Sequence, residues 1–416
     1  MKRILASNII STKVFALIVV ATILFCGCNG EAGLTRQINQ IADPYHFSIF
    51  DWQIHALTRQ YDQYIFNSRA EDPENSELVK EYFSNRQQVV ALEQKLLMLQ
   101  QGLEDGDVSS VEEQILNLSE RNQHILSEVE GTLSAQVETI LAECGIINPW
   151  QDVHNAAVVF PPVNFVIQPP PHLLVISPRD EISRYKDIAL VQIMNDDQKQ
   201  AVEEEIEKIG MSGLVVRLGG IATYPSFVAD TLPLDYSIEV AVEEWFHQYL
   251  FFRPLGFRYG MHIAGIIRDY EIATVNEALA GMVSQEIASM VYEKYYQETA
   301  TTSANYAMAP ANEFDFYAEM RTTRLVVDEM LEKGQVEEAE QYMEERRLYL
   351  ASNGYYIRKL NQAYFAFYGT YASSPGSVSP IGSGLKALRE QNPSLKDFVE
   401  QVSSMTDAED IIAAAD

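Results

Sequence analysis

Glu243, Glu244 and His247 lie within one pentapeptide, and Glu277 follows thirty residues after the histidine. The stretch from Glu239 to Phe252, EVAVEEWFHQYLFF, reads as one helix, and VNEALAGMVSQEIASMVYEKYY, from Val275, as another. Residues four apart share a helix face, so Glu243 and His247 stack. A hydrolytic metal site needs three protein ligands, an open position for water and a general base beside that water. The candidates are Glu243, His247 and Glu277 as ligands and Glu244 as base. Glu277 is expected at the opening of its helix, beyond a turn at Arg253-Pro254-Leu255-Gly256.

Acidic residues near a histidine on a solvated helix face are common, and the pentapeptide alone fits that reading. The surroundings change it. Trp245, Phe246, Tyr249, Leu250, Phe251 and Phe252 crowd the polar residues with apolar bulk. That predicts burial, and buried acids require partners or a metal. Two carboxylates and one imidazole form a harder donor set than two imidazoles and a carboxylate. Zn2+ is the candidate cofactor, with Mn2+, Mg2+ or Ca2+ also tolerated. Without a metal, at least one of the three carboxyls should hold a proton at neutral pH. His262 reads as a surface-loop residue rather than a replacement ligand. Tyr224, Tyr364 and Tyr368 are candidate transition-state donors, though core packing suits them better. Arg321, Arg324 and Arg358 are suited to pairing with acidic helix faces.

These residues need a scaffold. The pattern predicts an α+β chain, predominantly helical, with a small mixed sheet and the site-bearing helix at its centre. Helical periodicity runs over 50–69, 76–101 and 109–144, a hairpin or bundle whose plain role is a stalk, lid or packing module. Strands are expected at Val158–Val163, His172–Ser177 and Gly213–Gly220, with an acidic helix from Asp196 to Ile209. Leu214–Gly219 is the expected edge strand against the site helix. After a polar linker from Thr299 to Asn312, helices are expected over 316–333, 336–352 and 358–370. A Ser/Pro/Gly loop over 373–383 then leads to a last helix near 395–405. The resulting organisation is 1–28 as a signal or anchor, 29–45 as a tether, 46–147 as a helical module, 148–298 as the site-bearing core and 299–416 as a helical C-terminal part.

Asp and Glu number 59 against 30 Lys and Arg, a net charge of −29. Such a surface repels phosphate backbones and excludes nucleic acid as a partner. Lys2, Arg3 and Lys13 precede an apolar run from Val14 to Phe25. This is a basic segment followed by an apolar segment of signal-peptide length. Leu24-Phe25-Cys26-Gly27-Cys28 approximates a lipobox, with Cys28 as the lipidated residue; an uncleaved membrane anchor is the alternative. Either places the body outside the cytoplasm, held at a bacterial cell membrane. Only Cys144 lies in the body, so no disulfide framework is expected. Phosphate-binding, dinucleotide-binding, paired-cysteine and serine-nucleophile motifs are absent.

Residues 172–296 resemble a family of bacterial zincin-like, Glu-zincin-type membrane-associated proteins. The resemblance is carried by Gly219–Pro225 (GGIATYP), Glu243–Gly256 against H-E-W-x-H-Q-Y-L-F-F-x-P-L-G, and Asn276–Ala280 against N-E-T-x-A. It continues through Arg321–Arg324 and Tyr356–Tyr364. It implies a zincin-like core in which His247 and Glu277 are ligands and Glu244 is the base. Glu243 stands where the pattern has histidine. Three outcomes follow for a peptide or protein substrate or partner: an active variant peptidase, a metal site without hydrolysis, or a metal-free pseudo-peptidase lipoprotein that binds peptides or an envelope protein.

Overall fold

The computed structural model describes residues 33–60, 73–101, 103–150, 159–264, 266–267, 269–297, 314–369 and 380–415. The expected signal or anchor with Cys28, the Thr299–Asn312 linker and residues 373–379 lie outside them. The chain is predominantly helical α+β, with fourteen α-helices and two three-stranded sheets among the described residues.

One sheet places β2 (His172–Pro178) between β3 (Lys186–Leu190) and β4 (Met211–Val216), all antiparallel. Side chains alternate across a strand, and both faces of β2 are covered. Leu174 and Ile176 pack against α1 (Gly33–Ala42) and α5 (Asp196–Lys208) through Ile38, Ala42, Val202 and Ile206. Val175 packs with Leu214, Val216 and Ala363 and Phe367 of α11 (Gln362–Tyr368). This explains why His172–Ser177 reads as an unbroken apolar run. Residues 33–45, expected as an irregular tether, are instead α1 and a 3-10 turn at Asp43–Tyr45. Their polar residues face outward, while Ile38 and Ala42 close the core under the sheet.

The second sheet is mixed. β6 (Ser226–Val228) pairs parallel with β1 (Phe165–Ile167) and antiparallel with β5 (Gly220–Ile221). The strand expected at Val158–Val163 forms a few residues later, at β1, beyond the cis Phe160–Pro161 bond and Pro162. Prolines interrupt strand pairing because they lack an N–H.

Three further helices build the centre: α6 (Leu234–Phe251), α7 (Pro254–Ile263) and α8 (Tyr270–Tyr296). The turn expected at Arg253–Gly256 is the start of α7. Pro254 occupies the first helical turn, where its missing N–H costs nothing. Gly256 lets α7 begin against the end of α6, since a Cβ there would meet the Leu250 carbonyl. Arg253 ties this junction to α13 (Leu395–Ser403) by donating to the Ser403 hydroxyl and the Glu400 carbonyl.

The helices α3 (Pro73–Gln100) and α4 (Val108–Glu143) pack as a pair. They are a packing module rather than a separate stalk. Tyr82, Phe83, Val129 and Leu133 join the same core as Trp245, Phe246 and Leu279. Helices α9 (Phe316–Glu332) and α10 (Val336–Ser352) match their expected spans. The helix expected over 358–370 is only α11, because Asn361 caps its start by accepting the Tyr364 N–H at 2.9 Å; Arg358 lies ahead of it and pairs with Glu203 at 2.5 Å. The C-terminal end holds α12 (Ile381–Gln391) and α14 (Ala408–Ala415) besides α13.

Helix carboxylates cap two sheet edges. Glu203 of α5 accepts the Val215 N–H of β4 at 2.7 Å, and Glu130 of α4 accepts the Ile167 N–H of β1 at 2.7 Å. Burial outweighs that last bond and raises the Glu130 carboxyl to about 8. A raised folded-state value means stability is fully present below the unfolded value and is lost as pH climbs through the folded one. Thermal stability should therefore fall as pH rises from about 5 to about 8. Glu130→Gln, which keeps an acceptor for Ile167, should fall less over that range in thermal melts. An equal fall in both proteins would show that Glu130 does not hold its proton.

Candidate metal centre

The apolar face of α6 fixes where its polar residues point. Val242, Trp245, Phe246, Tyr249 and Leu250 are buried, and the Trp245 indole N–H donates to the Pro161 carbonyl at 2.6 Å. Gln248 pins the helix to the second sheet, donating to the Thr223 carbonyl at 2.7 Å and the Ser226 hydroxyl at 2.8 Å. Across the core, α8 is capped by Asp269, whose carboxylate accepts the Ile272 N–H at 3.0 Å. The helix thus starts at Tyr270, earlier than expected, and Glu277 lies two turns inside it. Leu279, Ala280 and Val283 pack it against α6.

This brings Glu243, His247 and Glu277 together. One ligand atom from each lies within 4.8 Å of the others. The His247 Nε2 is 3.5 Å from a Glu277 oxygen. The other Glu277 oxygen, Oε1, accepts the Tyr259 hydroxyl of α7 at 2.7 Å, which leaves Oε2 facing the histidine. The Asn276 amide is 2.8 Å from His247 Nδ1. Its Oδ1 is buried and has no partner while its nitrogen faces the ring. The amide can also be placed the other way round, with its nitrogen in that buried position. Oδ1 then accepts Nδ1–H and fixes the tautomer whose Nε2 lone pair faces the two glutamates. An imidazole so oriented, beside two carboxylates, is a donor set that fits a divalent cation.

The electrostatics carry the strain of uncompensated acids. Burial raises Glu243 to about 7, though His247 opposes it. Burial likewise raises Glu244 to about 8. Burial works against a charged His247, but the Glu277 carboxylate, helped by Glu244 and Glu243, overcomes it and lifts the imidazole to about 9. Glu277 is itself held below its usual range: burial pushes it up, and the His247 and Tyr259 contacts more than offset that. The expected proton on the crowded carboxyls accordingly belongs on Glu243 and Glu244.

Glu244 lies against β5. A Cβ at Gly220 would come within 2.6 Å of Glu244 Oε1. The strand beside the site helix is thus β5, not the expected Leu214–Gly219. That segment ends as β4 in the other sheet, its outer edge capped by Glu203 and Arg358. The outer edge of β5 carries no paired strand or capping side chain among the described residues.

The remaining sequence candidates lie elsewhere. His262 Nδ1 accepts the Asp269 N–H at 3.0 Å and so braces the α7–α8 turn. Tyr364 and Tyr368 pack on each other at 4.5 Å against the first sheet. Tyr224 is buried, and its carbonyl accepts from Gln53 at 3.0 Å. Arg324 and Arg358 pair with Asp328 and Glu203 as the acidic faces suggest. The aromatic hydroxyl at the site is Tyr259, which sequence reasoning missed because its helix reads as a turn. Asn276 was also missed, although it immediately precedes the ligand Glu277 in sequence.

No protein-family model, curated protein or solved structure matches the chain.

Partners that orient metal ligands typically contribute about tenfold to a hundredfold in metal affinity. Tyr259→Phe should therefore weaken divalent-cation binding by roughly that factor in calorimetric titration, with the thermal midpoint little changed. Unchanged affinity would mean that Tyr259 does not set the Glu277 oxygen that faces the ion.

Proposed function

We propose that this chain is an exported, membrane-anchored hydrolase of the zincin-like metallopeptidase class, with Glu243, His247 and Glu277 holding one divalent cation and Glu244 as general base. The convergence of three ligand atoms within 4.8 Å carries the reading. The cation would supply Lewis acidity toward a peptide carbonyl and toward water.

The chain supplies the rest. Glu244 packs on the face of the edge strand β5, and an extended peptide adding to that strand would bring its backbone near the carboxylate. Glu244, next to ligands that would hold the cation, would then be favoured in its ionised form against the effect of burial and be competent to take a proton from water. Tyr259 and Asn276 hold Glu277 and His247 in place. With two carboxylates in the set, Zn2+ is bound less selectively, and Mn2+ or another hard cation competes.

A second reading rests on the His247–Glu277 pair, which with Tyr259 satisfies itself without an ion. On that reading the protein is a pseudo-peptidase lipoprotein whose open β5 edge captures a peptide or an envelope protein. Glu244→Gln separates the two. The hydrolase loses cleavage of a peptide library by at least about a hundredfold while keeping metal and peptide affinity. The binding protein shows no cleavage before or after the change. Wild type inert toward the library with Zn2+, Mn2+, Mg2+ and Ca2+ each supplied would eliminate the hydrolase.

A further inference from the structure

The N-terminus limits how far the body can stand from a membrane. The apolar run ends at Phe25, and α1 begins at Gly33. A fully extended chain covers about 3.5 Å per residue, so Gly33 lies within about 28 Å of Phe25 and about 18 Å of Cys28. Helix α1 is fixed to the body. Ile38 and Ala42 are buried under the first sheet, and Lys186 Nζ donates to the Asn39 side-chain oxygen Oδ1 at 2.6 Å. Whichever anchor residues 1–28 provide, the face on which α1 begins must lie close to the bilayer.

That face also carries the α7–α8 turn. The Thr35 hydroxyl meets the Tyr185 hydroxyl at 3.2 Å. The neighbouring Arg184 carbonyl accepts the hydroxyl of Tyr270, the first residue of α8, at 3.2 Å. Four apolar side chains are exposed on this turn and the preceding helix: Ile266 at 69%, Ile263 at 57%, Phe257 at 53% and Tyr270 at 38%. Ile263, Ile266 and Tyr270 follow one another along the turn, with Phe257 nearly two helical turns earlier, and exposed apolar side chains beside an anchor point mark an interfacial surface.

We infer that this apolar turn rests in the lipid interface of the membrane that holds the N-terminal anchor. The occupant is a zwitterionic bilayer, since a net charge of −29 disfavours anionic headgroups. The inference rests on residues 1–28 acting as an anchor, not on a bound ion. It also narrows the substrate of the proposed site. Tyr259 lies on α7 between Phe257 and Ile263 and touches Glu277, so a helix set in lipid braces the metal centre. Polypeptide reaching β5 would come from the membrane-proximal layer.

The test uses the full chain in vesicles of phosphatidylcholine and phosphatidylethanolamine, some lipids carrying a nitroxide near the headgroup. A bimane label is placed at Ile266→Cys, at Phe257→Cys and at Tyr356→Cys; labelled wild type gives the background from native cysteines. Tyr356 is 87% exposed and precedes Arg358, which caps the sheet edge opposite the one bordered by residues 45–47. Quenching at positions 266 and 257 several-fold stronger than at 356 is expected. Equal quenching at all three, or none at 266 and 257, would overturn the inference. Flotation of the same vesicles reads the anchor: a chain that does not float removes the inference with it. Either failure leaves the metal-dependent hydrolase standing, because no step in this test requires the ion.

Discussion

The structure turns on the burial of four ionisable groups between α6 and α8. Trp245, Phe246 and Leu250 on one helix and Leu279 and Val283 on the other form a dense apolar contact. That contact leaves Glu243, Glu244, His247 and Glu277 with little exposure to bulk water. Burying a charge is costly unless it is paired, and three carboxyls share a single imidazole. The result is an ion pair at His247–Glu277 and two acids with raised values, to about 7 and about 8. A divalent cation held by Glu243, His247 and Glu277 would resolve this imbalance, because it would compensate the excess negative charge where it is concentrated. Tyr259, Asn276 and the α7 helix that carries Tyr259 follow from the same need, since each orients a group that would otherwise be free to turn away.

The sheets reflect a second constraint. Open strand edges are a liability, and proteins cover them. Here residues 45–47 bond to the β3 edge, Glu203 and Arg358 cap β4, and Glu130 caps β1. β5 carries no such contact on its outer edge among the described residues, and it lies against Glu244. Bonding the other edges and leaving the one beside the candidate base separates structural pairing from an edge available to another chain. Gly220 serves both ends of this arrangement: a side chain there would displace the Glu244 carboxyl.

Much of the site was legible because the information is local. Glu243 and His247 need only helical spacing to share a face, and the apolar residues between them announce burial. Helices α5, α9 and α10 carry clear periodicity and stop signals such as Gly334 and Gly354, whose positive φ suits glycine. Other features depend on distant partners. Helix α1 reads as tether because Leu34, Ile38, Ile41 and Ala42 meet a core that lies more than a hundred residues away in sequence. Helix α7 reads as a turn because Pro254 and Gly256 are turn residues by composition, whereas here they begin a helix. Tyr259 gains its role only when α7 folds across Glu277. β5 is two residues long, and nothing in Gly220-Ile221 distinguishes it from the loop around it.

The most direct test of the central claim is the metal content of the purified chain after equilibration with Zn2+ or Mn2+ and removal of free ion, beside His247→Ala and Glu277→Ala. The account predicts close to one ion per wild-type chain and almost none in either variant, with all three proteins folded by thermal melt. No ion in wild type, or an ion retained by both variants, would contradict it.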